Sequence, residues 1–328
     1  MIHLRLSVPT ALSAAAVEAL SDDPAVSSLS VVRGASLKPV GDVVDADVAR
    51  EAANDLIDRL RALGVHHEGT LQVEQVPTWL SRSALDAELS TPGSSADAVV
   101  WADVTERAYG DTELNWTFLS FMTLATLIAG IAIILDSQIL TIGAMVLGPD
   151  FGAVAALALA LVRGRWHLLR LAARSLVVGL VVAVLLTAAF AVVVRALGWV
   201  TAADISQARP ATDFIYHPNR WSFIVAVIAA AAGVLSLTSS KVGGLSGVFI
   251  SVTTIPAAGN VALGLAFGLW GEVRGSALQL LVNIVGMAVA GWLTLLFQQA
   301  VWSRISAARR QMIVRRTPSE PGDWSSRR

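Results

Sequence analysis

Apolar residues alternate with polar ones at the start of the chain and fill whole membrane-length runs from Trp116 onward, so the pattern alone divides the protein in two. Ile2-His-Leu-Arg-Leu-Ser-Val8 alternates strictly, the period of a half-buried strand. Pro9-Thr10 then opens a helical stretch, Ala11 to Leu20, stopped by Ser21-Asp-Asp-Pro24. Val26 to Val32 and Asp42 to Val48 read as strands near Gly34 and Gly41. Ala49 to Leu63 has helical periodicity through Ala53, Leu56, Ile57, Leu60 and Leu63, with Gly64 as its stop. Thr70 to Val76 alternates again. The order β-α-β-β-α-β over residues 1–76 predicts an α+β domain of ferredoxin-like type.

Residues 77–115 connect this domain to the rest. Pro77 to Asp97, with Thr91-Pro-Gly-Ser-Ser95, has the composition of a linker. Ala98 to Leu114 places Val100, Trp101, Val104, Ala108 and Leu114 among charged residues, an amphipathic helix suited to a membrane surface.

From 116 to 302 the uncharged runs are long enough for six membrane spans: Trp116 to Leu135, Ile139 to Val162, Ser175 to Val194, Trp221 to Ser240, Val242 to Gly271 and Gly275 to Trp302. Tryptophans near the span ends, among them Trp116, Trp199, Trp221, Trp270 and Trp302, are expected as interface anchors. Arg163, Arg165 and Arg170 fall between spans two and three, and residues 303–328 form a basic tail. With no basic residue between spans one and two, both termini are expected on the cytoplasmic side. Arg195, Arg209 and Arg220 in the third-to-fourth loop, set against Asp204 and Asp213, fit that rule least well.

Two of these runs contain a proline, Pro149 after Gly148 and Pro256 after Val252-Thr-Thr-Ile255, at a spacing of 256 − 149 = 107. At the same offset Gly152 meets Gly259, Gly164 meets Gly271, Gly179 meets Gly286, Thr187 meets Thr294 and Phe190 meets Phe297. Thirteen identities in the 42 positions from Pro149 to Phe190 point to an internal repeat. Three spans per half is an odd number, so the second half would enter the membrane inverted, an architecture common among secondary transporters. Each proline is expected to begin the second half of a broken middle helix. Two half-helix N-termini would then meet near the midplane with free N–H groups that favour an anion.

The candidate substrate or ion site is therefore Gly148, Pro149, Asp150, Thr253, Thr254, Pro256 and Asn260. Asp150 follows the first proline; a carboxylate at that depth costs about 2.5–3.5 kcal/mol on insertion scales and reads as a proton or cation site, or as a cap on its own half-helix. Ala257 stands at the corresponding place in the second half, so the site is asymmetric. Thr253 and Thr254 could equally bond their own backbone. Asp136 and Lys241 fall at span ends, Arg174 reaches the headgroups, and Asn283 is placed to bond a neighbouring helix.

A net charge of −1 gives no reason to expect nucleic acid as a partner. The chain has no cysteine, which removes disulfides, thiolate metal sites and cysteine nucleophiles. His66-His67 lacks a third ligand in register, so neither a metal nor another cofactor is expected. No nucleophile and base pair up, so no enzyme is expected. Met1-Ile-His-Leu-Arg-Leu lacks the basic and apolar regions of a cleavable signal.

Leu135-Asp-Ser-Gln-Ile-Leu-Thr-Ile-Gly-Ala-Met-Val-Leu-Gly-Pro149, and the segment from Leu235 to Asn260, resemble the hydrophobic domain-of-unknown-function family numbered three hundred and eighty-nine. The likeness covers Trp116 to Trp302; where the family has a second proline, this chain has Ala153. The resemblance implies an integral membrane protein of prokaryotic type, often with a soluble domain appended, and brings no substrate.

The expectation is a multi-pass protein of the prokaryotic cytoplasmic membrane, a homo-oligomer surrounded by membrane lipid that moves a small solute or ion. The alternative is a membrane-anchored sensor or assembly protein. In it the N-terminal domain binds a ligand or partner and small residues such as Gly243, Gly244 and Gly247 hold subunits together.

Overall fold

The structure is a computed structural model describing residues 1–93, 95, 98–207, 209–210, 212, 215, 220–238 and 246–316. Lys241, Gly243, Gly244 and Asp213 lie outside the described residues, as does the Thr253 side chain. The chain divides into two compact units, Met1–Val104 with Gln298–Arg328, and Thr105–Phe297.

The first unit runs β1 (Ile2–Pro9), α1 (Thr10–Ser21), β2 (Val26–Leu37), β3 (Val40–Val48), a 3-10 turn (Arg50–Ala52) leading into α2 (Ala53–Ala62), α3 (Val65–Glu68) and β4 (Thr70–Gln75). The four strands form one antiparallel sheet in the order β2-β3-β1-β4. Period-two alternation explains its two faces. Ile2, Leu4, Leu6 and Val8 are fully buried in a core with Leu20, Leu56 and Leu60. On the opposite face His3 Nδ1 lies 2.8 Å from Asp47 Oδ1. Gly64, with φ +81°, takes the left-handed position after α2 that a side chain would resist.

The presumed linker is not featureless. It contains α4 (Arg82–Ser90), whose first turn is capped by the Ser81 hydroxyl accepting from the Ala84 N–H at 3.3 Å. Its buried face is only Ala84 and Ala87, too faint a stripe for periodicity to register. α5 (Trp101–Asp111) is shorter than the helix expected from residue 98 to 114. Its entry is clamped instead: Asn54 accepts from the Trp101 N–H at 3.1 Å and donates to the Val99 carbonyl at 2.6 Å, while Arg50 Nε donates to the Ala98 carbonyl at 2.7 Å.

The second unit comprises α6 (Trp116–Ile134), α7 (Gln138–Leu147), α8 (Asp150–Arg163), α9 (Trp166–Ala196), α10 (Ala202–Ser206), α11 (Arg220–Thr238), α12 (Ser246–Phe267) and the first part of α13 (Trp270–Arg316). Trp116–Ile134, Trp166–Ala196 and Trp270–Val301 are each long and apolar enough to cross a membrane. The pair α7 and α8, bent by 55°, makes a fourth if counted as one span. The described apolar parts of α11 and α12, Phe223–Thr238 and Thr254–Phe267, are shorter. Small residues fill the interior, including Ala125, Ala129, Ala153, Ala183, Ala230 and Ala258, while Leu124, Val177, Leu185, Phe190, Leu281 and Phe297 face outward. Small residues inside and large ones outside is the packing expected where the surrounding medium is as apolar as the side chains.

Only one of the two expected breaks is present. Gly148 leaves the helix at φ −65°, ψ 124°, and Pro149 caps α8. Pro256, by contrast, lies inside a continuous α12. A residue before proline is biased toward extended backbone, and Gly148 yields to that bias. Ile255, the residue before Pro256, is fully buried and still helical, so packing holds the helix together across the missing N–H.

The two helix–helix turns that follow are alike. Gly164 (φ +62°) ends α8 and Gly268 (φ +75°) ends α12. Arg165 N–H donates to the Ala160 carbonyl at 2.9 Å, and Leu269 N–H to Gly264 at 2.8 Å. The spacing of these two glycines is 268 − 164 = 104. Further along, Phe118 packs against Gly179, and Phe223 packs against Gly286 in the same way; the glycines are 286 − 179 = 107 apart and the phenylalanines 223 − 118 = 105.

Candidate functional site

Asp150 is the first residue of α8, and its side chain is fully buried. The Thr254 hydroxyl of α12, also fully buried, donates to its Oδ2. Residues 104 apart in sequence are thus joined in the interior of the second unit, at the break between α7 and α8 (254 − 150 = 104). A carboxylate at the start of a 14-residue helix also meets the positive end of its dipole. Gly148 is buried and Pro149 half-buried beside it.

The glycine two residues on makes room for a second acid. A Cβ on Gly152 would stand 2.6 Å from the Asp111 Cβ, so only glycine admits this approach of the α5 end to α8. Burial pushes the Asp111 carboxyl above its ordinary range, and Arg107 opposes the shift. The Ser175 hydroxyl of α9 donates to the Thr112 carbonyl and to the Leu171 carbonyl, tying α9 to the segment that leads into α6. Asp111 escaped sequence reasoning because it looked like one charge among several on a surface helix.

Asn260 is not part of this pair. Its Nδ2 donates to the Ser276 hydroxyl at 2.9 Å, and its Oδ1 accepts from Arg209 Nη1 at 3.4 Å. Arg209 Nη2 donates to Glu272 Oε2 at 2.7 Å, and Arg209 is only 5% exposed. Asn260 therefore belongs to a separate polar cluster of Arg209, Glu272 and Ser276. The sequence showed Arg209 only as a loop charge, and nothing in its neighbourhood signals that the loop turns inward. Asp136, expected at an interface, adopts φ +45° and accepts from the Thr212 hydroxyl at 2.8 Å. Asn283 is buried on α13, and its Nδ2 has no partner among the described residues.

His66 and His67 lie side by side on α3 with ring centroids 3.9 Å apart, both exposed. Among the described residues no group of three His, Asp or Glu is placed to hold a metal ion.

A family model described as Domain of unknown function (DUF389) matches residues 145–289, a stretch that takes in the break, Asp150, Thr254 and Asn260. No curated protein and no solved structure matches the chain.

Proposed function

Starting from a chain whose residues 145–289 are a DUF389 domain, we propose that it is an integral membrane transporter or ion-conducting protein whose site is the Asp150–Thr254 pair. The observation that carries this reading is a fully buried carboxylate held across two helices at the break between α7 and α8. Intramembrane acids are rare and mark ion or proton routes. The anion-binding reading loses its basis, because α12 offers no second half-helix terminus and the one at α8 is already met by a carboxylate. The transported species is a proton or a small cation.

The inverted repeat belongs to this proposal. It is supported by the matched turns at Gly164 and Gly268, the matched Phe118–Gly179 and Phe223–Gly286 contacts, and the register of 104 that makes Asp150 and Thr254 equivalent positions. Equivalent residues that touch each other are what a two-fold axis between the halves would produce. On this reading α11 and α12 complete six spans, both termini are cytoplasmic, and the site does transport rather than catalysis. The strand order of the first unit suits a ferredoxin-like regulatory or dimerising module.

The absence of cysteine allows a direct test. Phe151→Cys and Ala258→Cys, in oriented vesicles, should react with a small membrane-impermeant thiol reagent, while Val184→Cys should not. Protection of both positions, together with ligand binding confined to residues 1–76, would replace transport with the sensor reading.

A further inference from the structure

Between α6, α9 and α12 a cavity of about 220 Å³ opens on the outside of the second unit. Leu127, Ile131, Phe190, Ala191, Leu263 and Phe267 line its apolar walls. Along α9 it runs from Thr187 to Val194, eight residues with seven rises of 1.5 Å or about 10 Å of helix, and Trp199 and Val200 close one end. That end carries a cation. The Arg195 guanidinium donates to the Ala266 carbonyl at 2.9 Å and lies 5.6 Å from the centroid of the Phe267 ring, itself part of the wall. Neither partner carries a charge to neutralise it. Trp199 beside it is 74% exposed and Leu135 63% exposed.

An apolar furrow on a membrane-facing surface, with an arginine and a tryptophan at one end, has the polarity of a lipid molecule: hydrocarbon along the furrow, negative charge at the arginine. We propose that this furrow is a binding site for one anionic phospholipid, with an acyl chain between α6, α9 and α12 and the phosphate at Arg195. The charge at one end selects a lipid over a second copy of the chain, because an apolar helix packed there would leave the guanidinium without a counter-charge. One polar atom lies at the other end, the buried Thr187 hydroxyl, which has no hydrogen-bond partner among the described residues. It makes no demand on the occupant: Thr294, one repeat along α13, bonds the Ala290 carbonyl at 2.8 Å, and rotation about χ1 would let Thr187 reach Ala183 in the same manner. The site depends on the second unit spanning a membrane and not on transport, so either proposal can fail without the other.

The test is native mass spectrometry of the full chain, stripped with detergent and titrated with phosphatidylglycerol or phosphatidylcholine. The wild-type chain should retain one phosphatidylglycerol and bind phosphatidylcholine at least about tenfold more weakly, a difference of about 1.4 kcal/mol. Arg195→Gln should abolish that preference. Gly130→Leu should block the furrow: a Cβ there meets Thr187 Cγ2 at an ordinary 3.5 Å, and the longer side chain continues toward Leu263. Thr187→Val should retain the lipid, and so should Val181→Phe, an outward-facing position away from the furrow. Equal retention of both lipids by the wild-type chain, or retention unchanged in Arg195→Gln and Gly130→Leu, would overturn the proposal. So would a dimer that only Gly130→Leu dissociates, which would make the occupant a second copy.

Discussion

Two segments of the second unit, the halves of the proposed repeat, α6 to α9 and α11 to α13, have similar joints and differ at one helix. Each half ends its second helical element at a left-handed glycine, Gly164 or Gly268, and re-enters a helix at a tryptophan, Trp166 or Trp270. Each sets a phenylalanine from its first helix on a glycine of its last. Yet the first half breaks its middle helix at Gly148–Pro149, and the second carries Pro256 straight through. The lesson is that proline does not decide a break by itself. A flexible neighbour that accepts the extended conformation is also needed, and a buried isoleucine in that place resists it. The asymmetry leaves a carboxylate on one side of the pair and a hydroxyl on the other.

The largest effect should come from removing that difference. Asp150→Asn keeps the volume and a hydrogen-bond acceptor for Thr254 but removes the charge; ion or proton flux in reconstituted vesicles should be lost while the protein stays folded. Normal flux would end the role assigned to Asp150. The matched phenylalanine–glycine contacts should then separate the halves by stability. Gly179→Leu forces an atom to about 2.6 Å from a ring that is 7% exposed, whereas the Phe223 ring facing Gly286 is 43% exposed and can swing outward. Overpacking at Gly179 should cost about 1–3 kcal/mol, read as a lower Tm in detergent, and Gly286→Leu should cost less. Equal losses would mean that both rings are held alike.

At the turns the halves should not differ. Gly164→Ala and Gly268→Ala each place a side chain in the left-handed region and should each cost about 1–2 kcal/mol. A clear difference in Tm between the two would show that the turns are not equivalent. The smallest effect belongs to Asp111, which approaches Gly152 in the first half. Its carboxyl is pushed up by burial, so its neutral form is favoured in the folded chain and its contribution to stability is full below the ordinary carboxylate range. That contribution is lost as pH rises through the raised value. Asp111→Asn should flatten this part of a Tm-against-pH curve, and an unchanged curve would place the titration elsewhere.

Much of this was legible from residue order. Alternation located β1 and β4 because one face of each strand is buried, and uncharged length located α6 and the apolar centres of α9 and α13. The reading failed where local signals are weak or point the wrong way. The helix α4 was hidden because two alanines make its buried face. The left-handed glycines of the two turns, Gly164 and Gly268, are 104 apart, so a gapless offset of 107 does not bring them together. Thr254 and Asn260 looked like one site because six residues separate them, but they belong to different clusters.

The sequence by itself determined the division into an α+β unit and an apolar helical unit, since burial period and run length are properties of neighbouring residues. It also singled out Asp150, because a charge inside an apolar run is visible without coordinates. Only the tertiary structure decided that Thr254 is its partner, that Arg209 turns inward to Glu272, and that one proline breaks a helix and the other does not. Those outcomes depend on what residues about 60 to 100 positions away press against each group, and packing of that range leaves no periodic trace in the order of the residues.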